Sequence, residues 1–414
     1  MRKKIIAVAG AGLASALMVG GTAIADPSGS GNQTGPFALA GVGSDTTQAV
    51  MGALAANIDA TNANRIASYD ATGPGNTLPN NLKASGCTSL PRPNGSGEGR
   101  KALISSLDGT PTTVKLPDGT TSASVNYSGC IDYARSSGRT LTATTTPLTY
   151  VPFADDTVTY AVNRTSGIQR TLSIVDLQHY YTCDANYVGT GTNNSTHTQP
   201  AGGWAANPVL PQQGSGTRGF WETVVGLDDT VVATNPASEA CLINGAYIRN
   251  SVSHIAEEHT ADYLLDTWMV PFSIPVWLSQ ASGVITSDRR GISVLGNIAS
   301  GGDLAVSNSG AGAPYTGVTE PIAASTGFNI ERHVYNVVPR KFIDSTFTSG
   351  CGGSGQPVCF TNDATSTLYT SVFGPSGSIC TDVATRNKYH FLPVGTSTFG
   401  DVGTRTCGDV TDHT

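Results

Sequence analysis

Charge is scarce in this chain of 414 residues: Asp, Glu, Lys and Arg together make 13% of it. So few charges exclude a charge-laced coiled coil, and the formal net charge of −7 excludes a basic nucleic-acid binder. No Cys-x-x-Cys occurs, so the usual thiolate metal sites lack their spacing. There is no Gly-x-Ser-x-Gly elbow to carry a nucleophilic serine. There is no Gly-x-x-x-x-Gly-Lys-Ser/Thr loop to cradle a nucleotide, and Gly95 to Lys101 has the wrong glycine–lysine spacing. His254 and His259 stand five apart with Glu257 and Glu258 between them, whereas zinc-protease motifs need four-residue spacing to bring both rings to one helical turn. That pair is expected on the solvated face of a helix. No metal or organic cofactor is implied.

Apolar runs are short as well. Ile5 to Val19 falls short of the roughly 20 residues that a spanning helix needs. Lying between Arg2-Lys3-Lys4 and Ala23-Ile24-Ala25, it reads as a secretory signal over residues 1–25, cleaved near Ala25. The first cysteine beyond that point is Cys87, so no lipid anchor is expected. Residues 26–36 form a flexible leader, and the product is a secreted or periplasmic monomer. Cleavage removes three cations and takes the formal charge from −7 to −10. Such a surface gives no long-range pull on an anion, so any bound anion must be held by fixed local dipoles.

Glycine is what the chain has in abundance, with 49 residues, beside much Thr, Ser and Asn. This composition suits a loop-rich α/β protein. The length exceeds one ordinary core, so two lobes are expected. We take them as residues 37–155 plus 271–345 and residues 156–270, with 346–414 as a disulfide-containing segment packed on the first. Eight cysteines in an exported chain point to disulfides. Joining neighbours pairs Cys87 with Cys130, Cys183 with Cys241, Cys351 with Cys359 and Cys380 with Cys407. That connectivity is preferred among many because each loop then stays within one lobe.

Phe37 to Val42 reads as a strand, and Val50, Leu54 and Ile58 recur on one face of a helix behind it. Asp45 or Thr46 could cap that helix. Lys101 to Leu107 and Leu172 to Tyr181 read as helices, and residues 108–126 as a hairpin-like excursion. Cys130 to Ala134 is a strand candidate with a loop, Arg135 to Gly138, at its end. Asn186 to Asn207 is a long loop, and Ile255 to Met269 reads as an amphipathic helix. Val151 to Val162 and Val270 to Trp277 are expected to cross between lobes, and Arg332 to Val338 is a β-branched strand.

Three glycine–serine turns each open into a helix-like run: Gly41-Val-Gly-Ser-Asp-Thr-Thr47, Gly95-Ser-Gly-Glu-Gly99 and Gln213-Gly-Ser-Gly-Thr-Arg218. A helix N-terminus presents unpaired N–H groups and partial positive charge, and glycine lets a ligand come close. Three such turns suggest a site for a small oxyanion. Ala134-Arg-Ser-Ser137 would lie at the carboxyl end of a strand, where α/β sheets bind ligands.

In order and spacing these motifs resemble those of PstS-type phosphate-binding proteins of ABC transporters, over roughly residues 37–345, and most of all secreted actinobacterial relatives. The resemblance implies a two-lobed periplasmic-binding-protein-like α/β fold with the ligand cleft between the lobes. It implies capture of inorganic phosphate for uptake, an ABC permease as partner, and no catalysis. It puts the phosphate loops on Ser44, Asp45 and Thr46; on Ser96 and Gly97; on Arg135, Ser136 and Ser137; and on Ser215, Gly216 and Thr217. Two positions depart from the family: Ser137 stands where many members have aspartate, and Pro211 where they have arginine. Asp45 and Arg135 are expected to supply those two charges from other loops. Asp45 would accept the proton that phosphate carries near neutral pH and sulfate lacks. Another oxyanion without a transport role, a secreted phosphoester hydrolase and a structural envelope protein are the alternatives.

Overall fold

A computed structural model describes residues 26–27, 33–140, 147–183, 206–227, 241–249, 251–298, 330–354, 356–395 and 405–412. The expected signal over 1–25 lies outside them, as do most of the 186–207 loop and parts of the leader and the C-terminal segment. The strands are β1 (Leu39–Gly43), β2 (Ile66–Ser68), β3 (Tyr133–Ser136), β4 (Leu148–Asn163), β5 (Thr171–Leu172), β6 (Asn207–Leu210) and β7 (Ile243–Asn244). They continue with β8 (Ala246–Arg249), β9 (Val252–Ile255), β10 (Trp268–Ser273), β11 (Ser293–Leu295), β12 (Asn297–Ile298) and β13 (Glu331–Pro339). The main sheet runs β2-β1-β3-β13-β4-β10-β6-β7, with β11 also on β4. Its pairings are parallel at β1–β2, β1–β3, β10–β6 and β6–β7 and antiparallel around β4 and β13. The chain is thus an α/β protein with a mixed sheet.

β4 ties the sheet together. All of its residues but the last are buried, so it shows no alternation between a wet and a dry face. Leu148 to Thr157 pair with β13, while Val158 to Asn163 pair with β10 and β11. The sheet therefore has two halves: β1, β2, β3 and β13 on one side, and β6, β7, β10 and β11 on the other. This corrects the expected return crossing. Residues 270–277 stay in the second half, because β10 pairs with distal β4 and with β6. Residues 293–295 join them through β11. The chain returns to the first half at β13.

Three helices matter for the site: α1 (Gln48–Thr61), α2 (Ser96–Asp108) and, after α3 (Ile174–Tyr181), α4 (Gly216–Val225). α1 buries Val50, Met51, Leu54, Ala55 and Ile58, a stripe of helical spacing. Its N-cap is Thr47, with no side-chain cap bond, so neither Asp45 nor Thr46 spends its side chain on capping. α4 is capped by the Ser215 side chain, which accepts from the Arg218 N–H, and ends at left-handed Gly226. The expected helix over 255–269 does not form: β9 ends at Ile255, turns follow, and β10 starts at Trp268. His259 has φ of 57°, outside the helical region, and its side chain lies 3.2 Å from Asp45 across the sheet halves.

The C-terminal segment lies against the first half. Tyr369 Oη donates to the Asp132 carbonyl, the Phe373 ring packs 5.1 Å from that of Tyr133, and Leu392 bridges to Asp155. All four disulfides join neighbouring cysteines, as preferred from the sequence. Cys183–Cys241 has a sequence separation of 58. Replacing both with serine should cost about 4 kcal/mol of stability through the freed entropy of the unfolded chain. Denaturant unfolding would read this as a lower midpoint, and an unchanged midpoint would refute it.

Candidate anion-binding site

The expected loops meet at the junction of the two halves. Gly43 has φ of 120°, and a Cβ there would sit 2.5 Å from the Arg135 carbonyl, so only glycine lets the first loop lie on the third. Ser44 Oγ donates to Ser137 Oγ at 3.0 Å, and the Ser137 N–H donates to Ser96 Oγ at 3.1 Å. Gly216 closes on that group: a Cβ would lie 2.4 Å from both Ser96 Oγ and Ser137 Oγ. The Gly97 N–H donates to the Gly214 carbonyl at 3.1 Å, and Thr46 Oγ1 stands 3.3 Å from Thr217 Oγ1. Ser44, Thr46, Ser96, Gly97, Ser137, Gly216 and Thr217 are therefore brought together. An open cavity of about 630 Å³ flanks them, lined in part by Ser96, Gly97, Ser136, Ser215 and Gly216. The N-termini of α1, α2 and α4 thus gather at one place.

Six of the expected residues do not line that cavity: Ser44, Thr46, Ser137 and Thr217 are buried beside it, and Arg135 and Asp45 turn elsewhere. β3 runs further than the sequence suggests, so Arg135 is a strand residue paired with Gly43 and Asn336. It is fully buried, and its guanidinium turns inward to donate to the carbonyls of Ser44 and Gly43 and to Ser68 Oγ. Its role is to pin the first loop from behind. Asp45 is also occupied elsewhere: Arg289 Nη2 donates to both its oxygens at 3.1 Å, and His259 Nδ1 lies 3.2 Å from Oδ2. The Asp45 carboxylate is thus committed to Arg289 and His259. His259 is buried, not on a solvated face. Glu98 points away from the cavity, accepting from Lys101 Nζ and the Lys115 N–H.

The guanidinium at the junction belongs to Arg332, which the sequence reading placed in a strand and gave no function. It is the second residue of β13, opposite Asp156 of β4. Nε and Nη2 both donate to Asp156 Oδ2, at 2.9 and 2.7 Å, while Ser273 Oγ donates to Oδ1. Nη2 reaches Thr217 Oγ1 at 2.7 Å and Thr46 Oγ1 at 3.4 Å. The group stacks over the Phe220 ring at 5.1 Å and lines the cavity. Its Nη1 is buried without a partner among the described residues. A signal was available: Asp155-Asp156 interrupts an apolar run that must cross the molecule, and a buried carboxylate needs a cation.

Burial pushes the Asp45 carboxyl up, but Arg289 and His259 outweigh it and hold it below the ordinary value. Stability from that cluster is present above the unfolded value of 3.8 and lost as pH falls through the lower folded value. Glu257 behaves oppositely: burial, helped by the charge of Asp45, pushes it up to about 7 from 4.5. Its neutral form contributes stability below 4.5 that disappears as pH rises through about 7. The melting temperature should therefore fall between about pH 5 and pH 8 less steeply in Glu257→Gln than in the wild type. Equal slopes in a melting series against pH would contradict this.

No family model and no curated protein matches the chain. Solved structures do, at low identity. One, described as a phosphate ABC transporter substrate-binding protein with bound phosphate from Clostridium perfringens, is 13% identical, with 86% of this chain and 98% of that one covered and a TM-score of 0.41. An ABC-type phosphate transport receptor from Vibrio cholerae is 16% identical over 74% and 88% of the two chains, with a TM-score of 0.38. CbnR, a LysR family transcriptional regulator, is 12% identical over 73% and 62%, with a TM-score of 0.32. PstS phosphate-binding proteins are thus among its structural neighbours, and at these TM-scores the likenesses carry no weight beside the loop geometry.

Proposed function

We propose that the chain is an extracytoplasmic binding protein that captures inorganic phosphate at the junction of its two sheet halves and delivers it to an ABC permease. One observation carries the reading: the N-termini of α2 and α4, the Ser96, Ser136 and Ser215 hydroxyls and the Arg332 guanidinium line one cavity, and the turn before α1 lies beside them through Thr46 and Thr217. Helix N-termini and a guanidinium fork are complementary to a small oxyanion with several acceptor oxygens. Ser44, Thr46, Ser96, Gly97, Ser136 and Ser137 would bind from the first half, and Ser215, Gly216 and Thr217 from the second. Arg332 takes the part first given to Arg135, and Asp45 steadies the halves in place of touching the ligand. The halves act as lobes that close on the anion, bending where β4 passes from β13 to β10 and where β13 begins. Four disulfides fit an oxidising compartment outside the cytoplasm. No helix of the described residues is long and apolar enough to cross a membrane.

Binding without turnover is the expected behaviour. A thermal-shift series on protein stripped of phosphate should show a melting temperature that climbs with phosphate or arsenate concentration. A flat response to phosphate, arsenate, sulfate and molybdate would defeat the reading. Turnover of a chromogenic phosphoester would favour a hydrolase instead.

A further inference from the structure

Two of the expected anion-binding hydroxyls, those of Thr46 and Thr217, already hold a carboxylate beside the cavity. Glu258, fully buried, lies between the turns, and its Oε1 accepts from Thr46 Oγ1 at 2.6 Å and from Thr217 Oγ1. The direction of these bonds is fixed. Each hydroxyl has one hydrogen and a carboxylate oxygen only accepts, so both hydrogens go to Glu258. Thr46 immediately precedes the cap of α1 and Thr217 is in the first turn of α4, so the carboxylate sits on two of the converging helix N-termini. Its backbone is held as well: the Glu258 N–H donates to Gln212 Oε1 at 2.9 Å. Glu258 Oε2 has no partner among the described residues, so the carboxylate fills the position incompletely.

We infer that Glu258 is a tethered carboxylate that stands in for the anion, and that a bound oxyanion must displace it from Thr46 and Thr217. This rests on the anion-capture reading above. An occupant that has to leave lowers the apparent affinity by the fraction of molecules in which it has left. A tetrahedral anion offers more acceptor oxygens than the single one used by Glu258, so it can win the exchange. Glu258 thereby sets the concentration at which the protein loads.

The test is calorimetric titration of phosphate into phosphate-free wild type, Glu258→Ala and Glu258→Gln. Glu258→Ala frees both hydroxyls and should bind phosphate about tenfold or more tightly; Glu258→Gln removes the charge but keeps an acceptor, and should gain less. In Glu258→Ala only, added acetate should compete with phosphate, because the small carboxylate refills the vacated place. Weaker or equal binding in both variants, with a wild type that binds, would make Glu258 a ligand contact or a bystander and overturn the inference alone. If the wild type and both variants take up no oxyanion, the capture reading fails and this inference with it. The Gln variant is nearly isosteric, so a folding defect in the Ala variant leaves the comparison intact.

Discussion

Replacing Arg332 with methionine should lower phosphate affinity by two orders of magnitude or more, on the order of 3 kcal/mol, as expected for truncating one partner of a buried charge pair. The guanidinium is 3% exposed and is held by Asp156, so it is oriented before any ligand arrives. Its second amino group, Nη1, is the buried donor with no partner among the described residues. An anion in the cavity would satisfy it, whereas Arg100, Arg139 and Arg218, which also line the cavity, are bonded to Tyr150, Asp412 and Glu222. The same substitution strands the Asp156 carboxylate, so some stability is lost too. Arg332→Lys separates the two effects: it keeps a cation beside Asp156 but loses the planar fork. It should fold close to normally and still bind about tenfold more weakly. Calorimetry beside denaturant unfolding checks both, and unchanged affinity in either variant would contradict the role given to Arg332.

Replacing Arg135 with methionine should instead act on the fold, with a loss on the order of 3–5 kcal/mol. The side chain is fully buried and donates to two carbonyls of the first loop and to Ser68 Oγ. Methionine would fill much of the space but leave those acceptors without donors, each a desolvation cost of about 1–3 kcal/mol. The midpoint of denaturant unfolding should fall clearly. A variant with normal stability and abolished phosphate binding would return Arg135 to the ligand.

These two arginines mark the boundary of what could be read from the chain itself. The helix behind the first turn, the helix after the third and the neighbour-to-neighbour disulfides were legible, because each depends on local spacing and turn chemistry. The meeting of the Ser44, Ser96, Ser137 and Gly216 loops was legible through motif order. Which way a side chain points out of a strand was not. Arg135 sits only one residue before the Ser136-Ser137 pair, yet β3 pairing extends to Ser136 and turns the guanidinium inward. Arg332 is nearly 200 residues further on, and only the pairing of β13 with β4 sets it against Asp156 and brings it to Thr217. The stretch around Glu258 and His259 misled for the same reason. Its spacing suits a helix, but bonds to Thr46, Thr217 and Asp45 across the junction decide its conformation. Long-range polar contacts override local periodicity where a site is assembled.

Asp45 shows how a charge at the right place in a motif can serve assembly. It joins the first half of the sheet to His259 and Arg289 of the second, so it helps hold the proposed phosphate loops against one another. On the proposed reading, Arg332 and the hydroxyls would meet the anion, while Arg135, Asp45 and Asp156 keep those groups in register.

The central claim is that an oxyanion binds where Ser96, Gly216 and Arg332 converge. Its most direct test is crystallographic: crystals of the phosphate-free protein soaked in arsenate, with diffraction measured at the arsenic absorption edge. The account predicts one strong anomalous peak in the cavity, within hydrogen-bonding reach of the Arg332 guanidinium and the Gly216 loop. A strong peak elsewhere, or none at arsenate concentrations that saturate binding in solution, would contradict it.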